Sequence, residues 1–243
     1  VKQGVYLGID GCRGGWCVAV IRQNELSVSL LTELAEIPAL IACEACGFID
    51  MPIGLTDSSS GRLCEVEARA VMPGTYKSSI FFCPSQSAVS ASDYSAANAV
   101  QRSVTGKGLS VQAWNIVPKI RQVQEQNSFV KEQGIALREA HPELCFAQLS
   151  GSFIPNKKRT ATGRKERVHV LGQYINLSPM HEFLSNTKRN VIAVDDALDC
   201  VCLAISARFS AEHAMGRFPE KDQINEFGVA MEIVYPLCSC LFC

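Results

Sequence analysis

The first 31 residues restrict the fold more than any other stretch of the chain. Val5–Asp10 (VYLGID), Trp16–Ile21 (WCVAVI) and Leu26–Leu31 (LSVSLL) are three short, mostly apolar runs. Gly11-Cys-Arg-Gly-Gly15 separates the first two, and Arg22–Glu25 the second pair. A parallel crossover needs about a dozen residues or more, so linkers this short only reverse the chain. The three runs are therefore expected to pair as an antiparallel meander. Thr32 then predicts a helix cap, with Glu33 and Glu36 in a first turn that favours acids and the helix running to about Ala42. Gly47–Asp50 (GFID) reads as a fourth strand.

Beyond it the character changes. Met51–Ser60 is a loop rich in Pro, Gly and Ser. Helices are expected over Arg62–Met72, Gln86–Val104 and Leu109–Val130, the last broken or kinked at Pro118. Ile135–Glu139 reads as a fifth strand, followed by helices at Pro142–Leu149, Gly163–Tyr174 and Val191–Phe209, then a last strand at Val229–Tyr235. The expected fold is α/β: a mixed sheet of five strands or slightly more, flanked by helices. It forms one domain over residues 1–243, with 51–133 inserted after the fourth strand as a helical segment.

Carboxylates recur at the ends of these elements. Asp10, Asp50 and Glu139 each close a strand, and Asp195-Asp196-Ala-Leu-Asp199 opens the last helix. Asp196 and Asp199 are three residues apart and so share a helical face. Acids also suit strand ends, turns and helix N-termini for reasons of folding alone. A cluster of Asp10, Asp50, Asp196 and Asp199 repels itself unless a cation sits among them, and oxygen ligands in that number suit Mg2+ or Mn2+. Two such ions can activate water and stabilise the leaving oxygen of a phosphodiester.

The overall charge bears on the same point. With 23 Lys and Arg against 24 Asp and Glu, the net charge is −1, unlike a protein that coats nucleic acid along its whole surface. A polyanion must be held by a local patch or through metal ions. Residues 157–167 (KKRTATGRKER) supply such a patch, with six cations against one acid. Lys157, Lys158, Arg164 and Arg167 are candidate phosphate contacts, joined by Arg13 and, on the same face, Arg62, Arg69 and Lys77. Cations disfavour a helix N-terminus, so folding alone does not account for Arg164 and Lys165. Core packing is the expectation for Trp114, Phe81 and Phe82, with base stacking as the alternative.

The chain has 12 cysteines. Cys12, Cys17, Cys64, Cys145, Cys200 and Cys202 lie in apolar or patterned segments, as small core residues do. The pairs Cys43/Cys46 and Cys240/Cys243 are too far apart for a zinc ribbon. No run reaches the length of a membrane span, and Val1-Lys2-Gln3-Gly4 has no apolar leader. A reduced, cytoplasmic protein without membrane association is expected.

Six segments in order carry a family resemblance: Gly8-Ile-Asp-Gly-Cys-Arg-Gly-Gly-Trp16, Ile49-Asp-Met-Pro-Ile-Gly54, Gly108-Leu-Ser-Val-Gln-Ala-Trp114, Pro118-Lys-Ile120, Glu139-Ala-His-Pro-Glu143 and Asp195-Asp-Ala-Leu-Asp199. Together they resemble the family called domain of unknown function 429, grouped with predicted ribonuclease H-like nucleases. The closing acidic motif also looks like that of Holliday-junction resolvases. The resemblance implies a ribonuclease H-like fold and a Mg2+- or Mn2+-dependent nuclease acting on DNA or RNA. Asp10, Asp50, Asp196 and Asp199 take the metal-ligand places. Glu139 and Glu143 become candidates for a further ligand or a water-orienting base, and His141 for a nearby hydrogen-bond donor. Asn156-Lys157-Lys158 stands where the family more often has Ser-Lys-Lys. Gly8–Gly15 is also similar to the first phosphate loop of actin-like and sugar-kinase phosphotransferases, but Asp50 is followed by Met-Pro and not by their second loop. A non-catalytic binding module of the same fold is the third reading.

Overall fold

A computed structural model describes residues 4–238 and 241–242. Cys240 and Cys243, the second CxxC pair, lie outside the described residues. The chain divides into two compact units. The first takes the chain up to Asp50, then Gln126–Gly216 and the part from Val234 onward; the second takes Met51–Glu125 and Arg217–Ile233.

The first unit opens with strands β1 (Val5–Cys12), β2 (Gly15–Arg22) and β3 (Glu25–Leu31), paired antiparallel as the expected meander. The β2–β3 reversal uses Gln23 and Asn24, both at positive φ (51° and 67°), as a two-residue hairpin turn requires. The helix expected from Thr32 is only the short α1 (Ile37–Ile41), after a single tight turn at Leu34–Glu36. Thr32 does not cap it. The Glu36 carboxylate instead accepts from the Thr32 and Glu33 amides at 2.9 and 2.8 Å.

Strand β4 (Ala45–Asp50) lies parallel to β1 on the side away from β2. The second unit then supplies α2 (Leu63–Val71), α3 (Gln86–Val89), α4 (Tyr94–Thr105) and α5 (Val111–Asn115). The long α6 (Val117–Glu132) follows. Two expected long helices are divided, the first by an internal cap at Asp93 and the second at Ile116, between α5 and α6. Asp93 accepts from the Ala96 amide and starts α4 anew, and Ser110 accepts from the Ala113 amide to start α5. Pro118 falls in the first turn of α6, where its missing N–H costs no hydrogen bond.

Strand β5 (Ile135–Glu139) pairs parallel with β4, completing a mixed five-stranded sheet of order β3-β2-β1-β4-β5. This is the strand order of the ribonuclease H-like fold. Helices α7 (Pro142–Ser150), α8 (Ala161–Gly172), α9 (Ser178–Asn186) and α10 (Val194–Glu212) follow. The chain closes with the two-stranded ribbon of β6 (Met215–Phe218) and β7 (Ile233–Pro236). Neither α9 nor β6 is foreseen in the sequence. Helix α10 starts three residues later than its apolar pattern suggests, because Val191 is used in a turn with Lys188 and its carbonyl accepts from the Gly14 amide.

Helix α10 packs across β1, β2 and β4 and is buried from Ala197 to Ala207. Gly8 is what permits this. A Cβ at Gly8 falls 1.9 Å from the Cys200 carbonyl and 2.2 Å from the Ala204 nitrogen, so a side chain there forces strand and helix apart. The six cysteines expected in the core are all buried.

The second unit joins sequence-distant stretches through side-chain amides. Gln223 accepts from the Leu63 amide at 2.7 Å and donates to the Gly61 carbonyl at 3.0 Å, while Asn225 donates to the Leu55 carbonyl at 2.9 Å. Ala97, Leu109 and Ala113 form a small core there, against which Phe81, Tyr94 and Trp114 pack.

Candidate functional site

The central pair of parallel strands brings two acids side by side. Asp10 and Asp50 are register partners on β1 and β4. Asp10 is two residues beyond Gly8 on the same side of β1, so it looks toward α10. That helix contributes Asp199, which is fully buried. The apolar neighbours of Asp199 on α10 bury the helix against the sheet and take the acid in with them.

The countercharge comes from the loop between α7 and α8. The Lys158 ammonium donates to Asp199 Oδ2. Asp199 Oδ1 is buried and has no hydrogen-bond partner. The Lys158 loop is pinned from below. Arg167 donates to the Asn156 carbonyl at 2.9 Å, and Asn156 donates to Glu166 at 2.7 Å. Gly163 admits the loop backbone so closely that a Cβ meets the Lys157 carbonyl at 2.2 Å.

Burial dominates the electrostatics. It raises the Asp10 pKa well above the carboxylate range, and the charges of Asp50, Asp199 and Asp196 add to it against Lys158. Burial likewise raises Asp50 to about 7, with Lys158 pulling down and Asp199 pushing up. Desolvation works against the Lys158 ammonium, but Asp199, Asp10 and Asp50 outweigh it and hold its pKa above the ordinary value. Burial thus favours the protonated form of Asp10 and Asp50, while Asp199 is balanced by an ammonium.

The other expected acids are placed differently. Asp196 is half-buried, and its Oδ2 accepts from the Ala193 amide at 3.0 Å, so one of its oxygens caps α10. Its pKa is raised by burial against that hydrogen bond. Asp195 lies 3.8 Å from Arg164. Glu139 pairs in register with Ile49, which puts it on the opposite sheet face from Asp50.

Glu143 and Arg167 form an interior pair, with one guanidinium nitrogen 2.8 Å from each carboxylate oxygen. Arg167 is fully buried, so the expectation of a phosphate contact there is corrected: its charge is spent on Glu143 and on holding the loop. Its spacing was a readable signal, because Gly163, Arg167, Val170 and Leu171 lie on one buried face of α8. Lys158 also serves inward, and no local pattern links it to a residue 41 positions later. Arg13, Lys157, Arg159 and Lys165 remain exposed.

The donor set suits a hard cation in chemistry: carboxylate oxygens, one of them buried without a partner. Among the described residues, however, no three His, Cys, Asp or Glu side chains are arranged to hold one ion. Lys158 is the positive charge of the site in this structure.

A mixed five-stranded sheet with acids at the ends of its two central parallel strands, faced by an acid on the crossing helix, defines an α/β protein of ribonuclease H-like fold with an acidic centre. The chain belongs to the family described as "Protein of unknown function (DUF429)", whose profile matches residues 8–224. No curated protein and no solved structure matches it. Among the described residues no helix is long and apolar enough to cross a membrane.

Proposed function

We propose that the acidic centre takes up Mg2+ or Mn2+ and hydrolyses phosphodiester bonds in nucleic acid. The observation that carries the reading is the in-register pair Asp10 and Asp50 facing a buried Asp199 whose Oδ1 has no partner. Asp10, Asp50 and Asp199 are the residues that hold the cation, and Asp196 contributes its uncommitted oxygen. When bound, the cation supplies an activated water and charge stabilisation for the leaving oxygen.

The chain's own residues do the rest. The Lys158 side chain is 35% exposed, so its ammonium has a path to solvent when a cation replaces it beside Asp199. Displaced there, it becomes a contact for substrate phosphate. Arg13, Lys157, Arg159 and Lys165 bind the backbone of the strand and orient it. The described cysteines are all free thiols, in keeping with a reducing, cytoplasmic setting.

The test is cleavage of labelled DNA and RNA by purified protein with Mn2+, compared with Asp10→Asn. Cleavage by the wild type and none by the variant supports the reading; equal trace activity in both sinks it. The Lys158–Asp199 contact favours a second reading, a binding module of the same fold with an ammonium in the metal's place. Failure of millimolar Mn2+ to bind in a calorimetric titration selects that reading.

A further inference from the structure

The second unit holds a cavity of about 430 Å3, formed between the loop around residues 58–61, the start of α2 and the segments 78–85 and 105–112. That volume falls within the roughly 300–1,000 Å3 of small-molecule sites. Its chemistry is uneven. Of the described residues lining it, Glu65 is the one acid, and it is fully engaged: Arg62 pairs with it at 2.9 Å, and its other oxygen accepts from the Cys83 amide at 3.1 Å. Arg69 and Lys107 also line the cavity, and neither has a carboxylate partner among the described residues. The cavity therefore carries uncompensated positive charge.

Both cations stand against one aromatic ring. The Arg69 guanidinium lies 5.0 Å and the Lys107 ammonium 5.7 Å from the centre of Phe82. Phe82 is 50% exposed, in contrast to Phe81, which packs on the small core beside it. The expectation of core packing thus holds for Phe81 and fails for Phe82. Ser58, Ser59 and Ser60 add hydroxyl groups along the rim, all exposed.

A ligand that satisfies this set has a negative group for the two cations, a flat face for the ring and heteroatoms for the hydroxyls. From Phe82, Arg69, Lys107 and the serine rim we infer that the cavity binds a nucleoside phosphate, its base on Phe82 and its phosphate beside Lys107. The nucleotide comes either free or as the unpaired end of a strand, since both present the same base and phosphate. The cavity belongs to the second unit and the acidic centre to the first, and binding in the cavity does not depend on a metal ion in that centre.

Calorimetry in EDTA tests this, using AMP, 5′-phosphorylated hexathymidylate and inorganic phosphate as probes. Removing divalent ions keeps the outcome independent of the proposed hydrolysis. Saturable binding of AMP or of the oligonucleotide is expected. Phe82→Leu and Lys107→Gln should each weaken it at least tenfold; both residues are exposed, so neither change removes a core contact. Arg69 is left intact because it also holds the Lys77 and Ile80 carbonyls. AMP binding without oligonucleotide binding identifies a free nucleotide, and tighter oligonucleotide binding identifies a strand end. The inference is overturned by lack of saturation at millimolar probe, by unchanged affinity in both variants, or by inorganic phosphate binding as tightly as AMP.

Discussion

Lys158 and Asp199 meet as ammonium and carboxylate at the buried end of the central strands. Removing the ammonium leaves a fully buried carboxylate with no countercharge. Lys158→Met should destabilise the metal-free protein by ~1–3 kcal/mol, below the value for a wholly buried pair because the lysine is 35% exposed. Thermal denaturation in EDTA measures the loss. If Asp199 holds a cation, Mn2+ should raise the melting temperature of this variant more than that of the wild type.

Asp50 gives the centre a pH dependence. Its pKa is raised from an ordinary 3.8 to about 7, so between those values the folded form binds more protons than the unfolded form. Stability from this group is therefore complete at low pH and is lost as pH rises through about 7. Asp10, raised in the same sense, adds to the trend. Melting temperatures in EDTA should show Asp50→Asn stabilised relative to wild type at pH 8, by an amount on the order of 1–3 kcal/mol, with the difference shrinking toward pH 5.

Arg167 should behave as a structural residue. Arg167→Ala leaves Glu143 buried and unpaired and releases the Asn156 carbonyl, at a cost of about 3–5 kcal/mol. Exchanging Lys157, Arg159 and Lys165 for Ala together should instead leave stability nearly unchanged and reduce the salt dependence of nucleic-acid binding. Urea denaturation and binding titrations at several salt concentrations separate the two effects.

Gly8→Ala tests the helix–strand approach. The added methyl meets backbone atoms of α10 at 1.9 and 2.2 Å, and backbone cannot swing aside as a flexible side chain can. A loss of more than ~3 kcal/mol is expected in urea denaturation, beyond the usual cost of overpacking.

The meander, both parallel strands and the strand-end acids were legible because they are local. Apolar runs separated by turn residues report strands, and an acid closing such a run reports its position. Asp10, Asp50 and Asp199 could be expected to meet because the topology follows from the order of elements. What the sequence hid was long-range or conditional. The lone ammonium of Lys158 faces inward because Arg167 and Gly163 shape its loop, and Glu139 falls on the far face because its register partner is Ile49 and not Asp50. The helix break at Asp93 depends on a side chain choosing to cap, against a helical pattern that continues through it.

The second unit is assembled from two stretches separated by about ninety residues, and Gln223 and Asn225 supply bonds that its first stretch cannot make alone. During synthesis from the N-terminus, Met51–Glu125 leaves the ribosome long before those side chains exist. At roughly 5–20 residues per second the wait is several seconds or more. The nascent chain thus passes through a period in which the loop bearing Gly61 and Leu63 is without its amide partners, and truncation before residue 223 makes that condition permanent. An excised 51–125 fragment is for the same reason a poor substitute for the whole chain in any binding experiment.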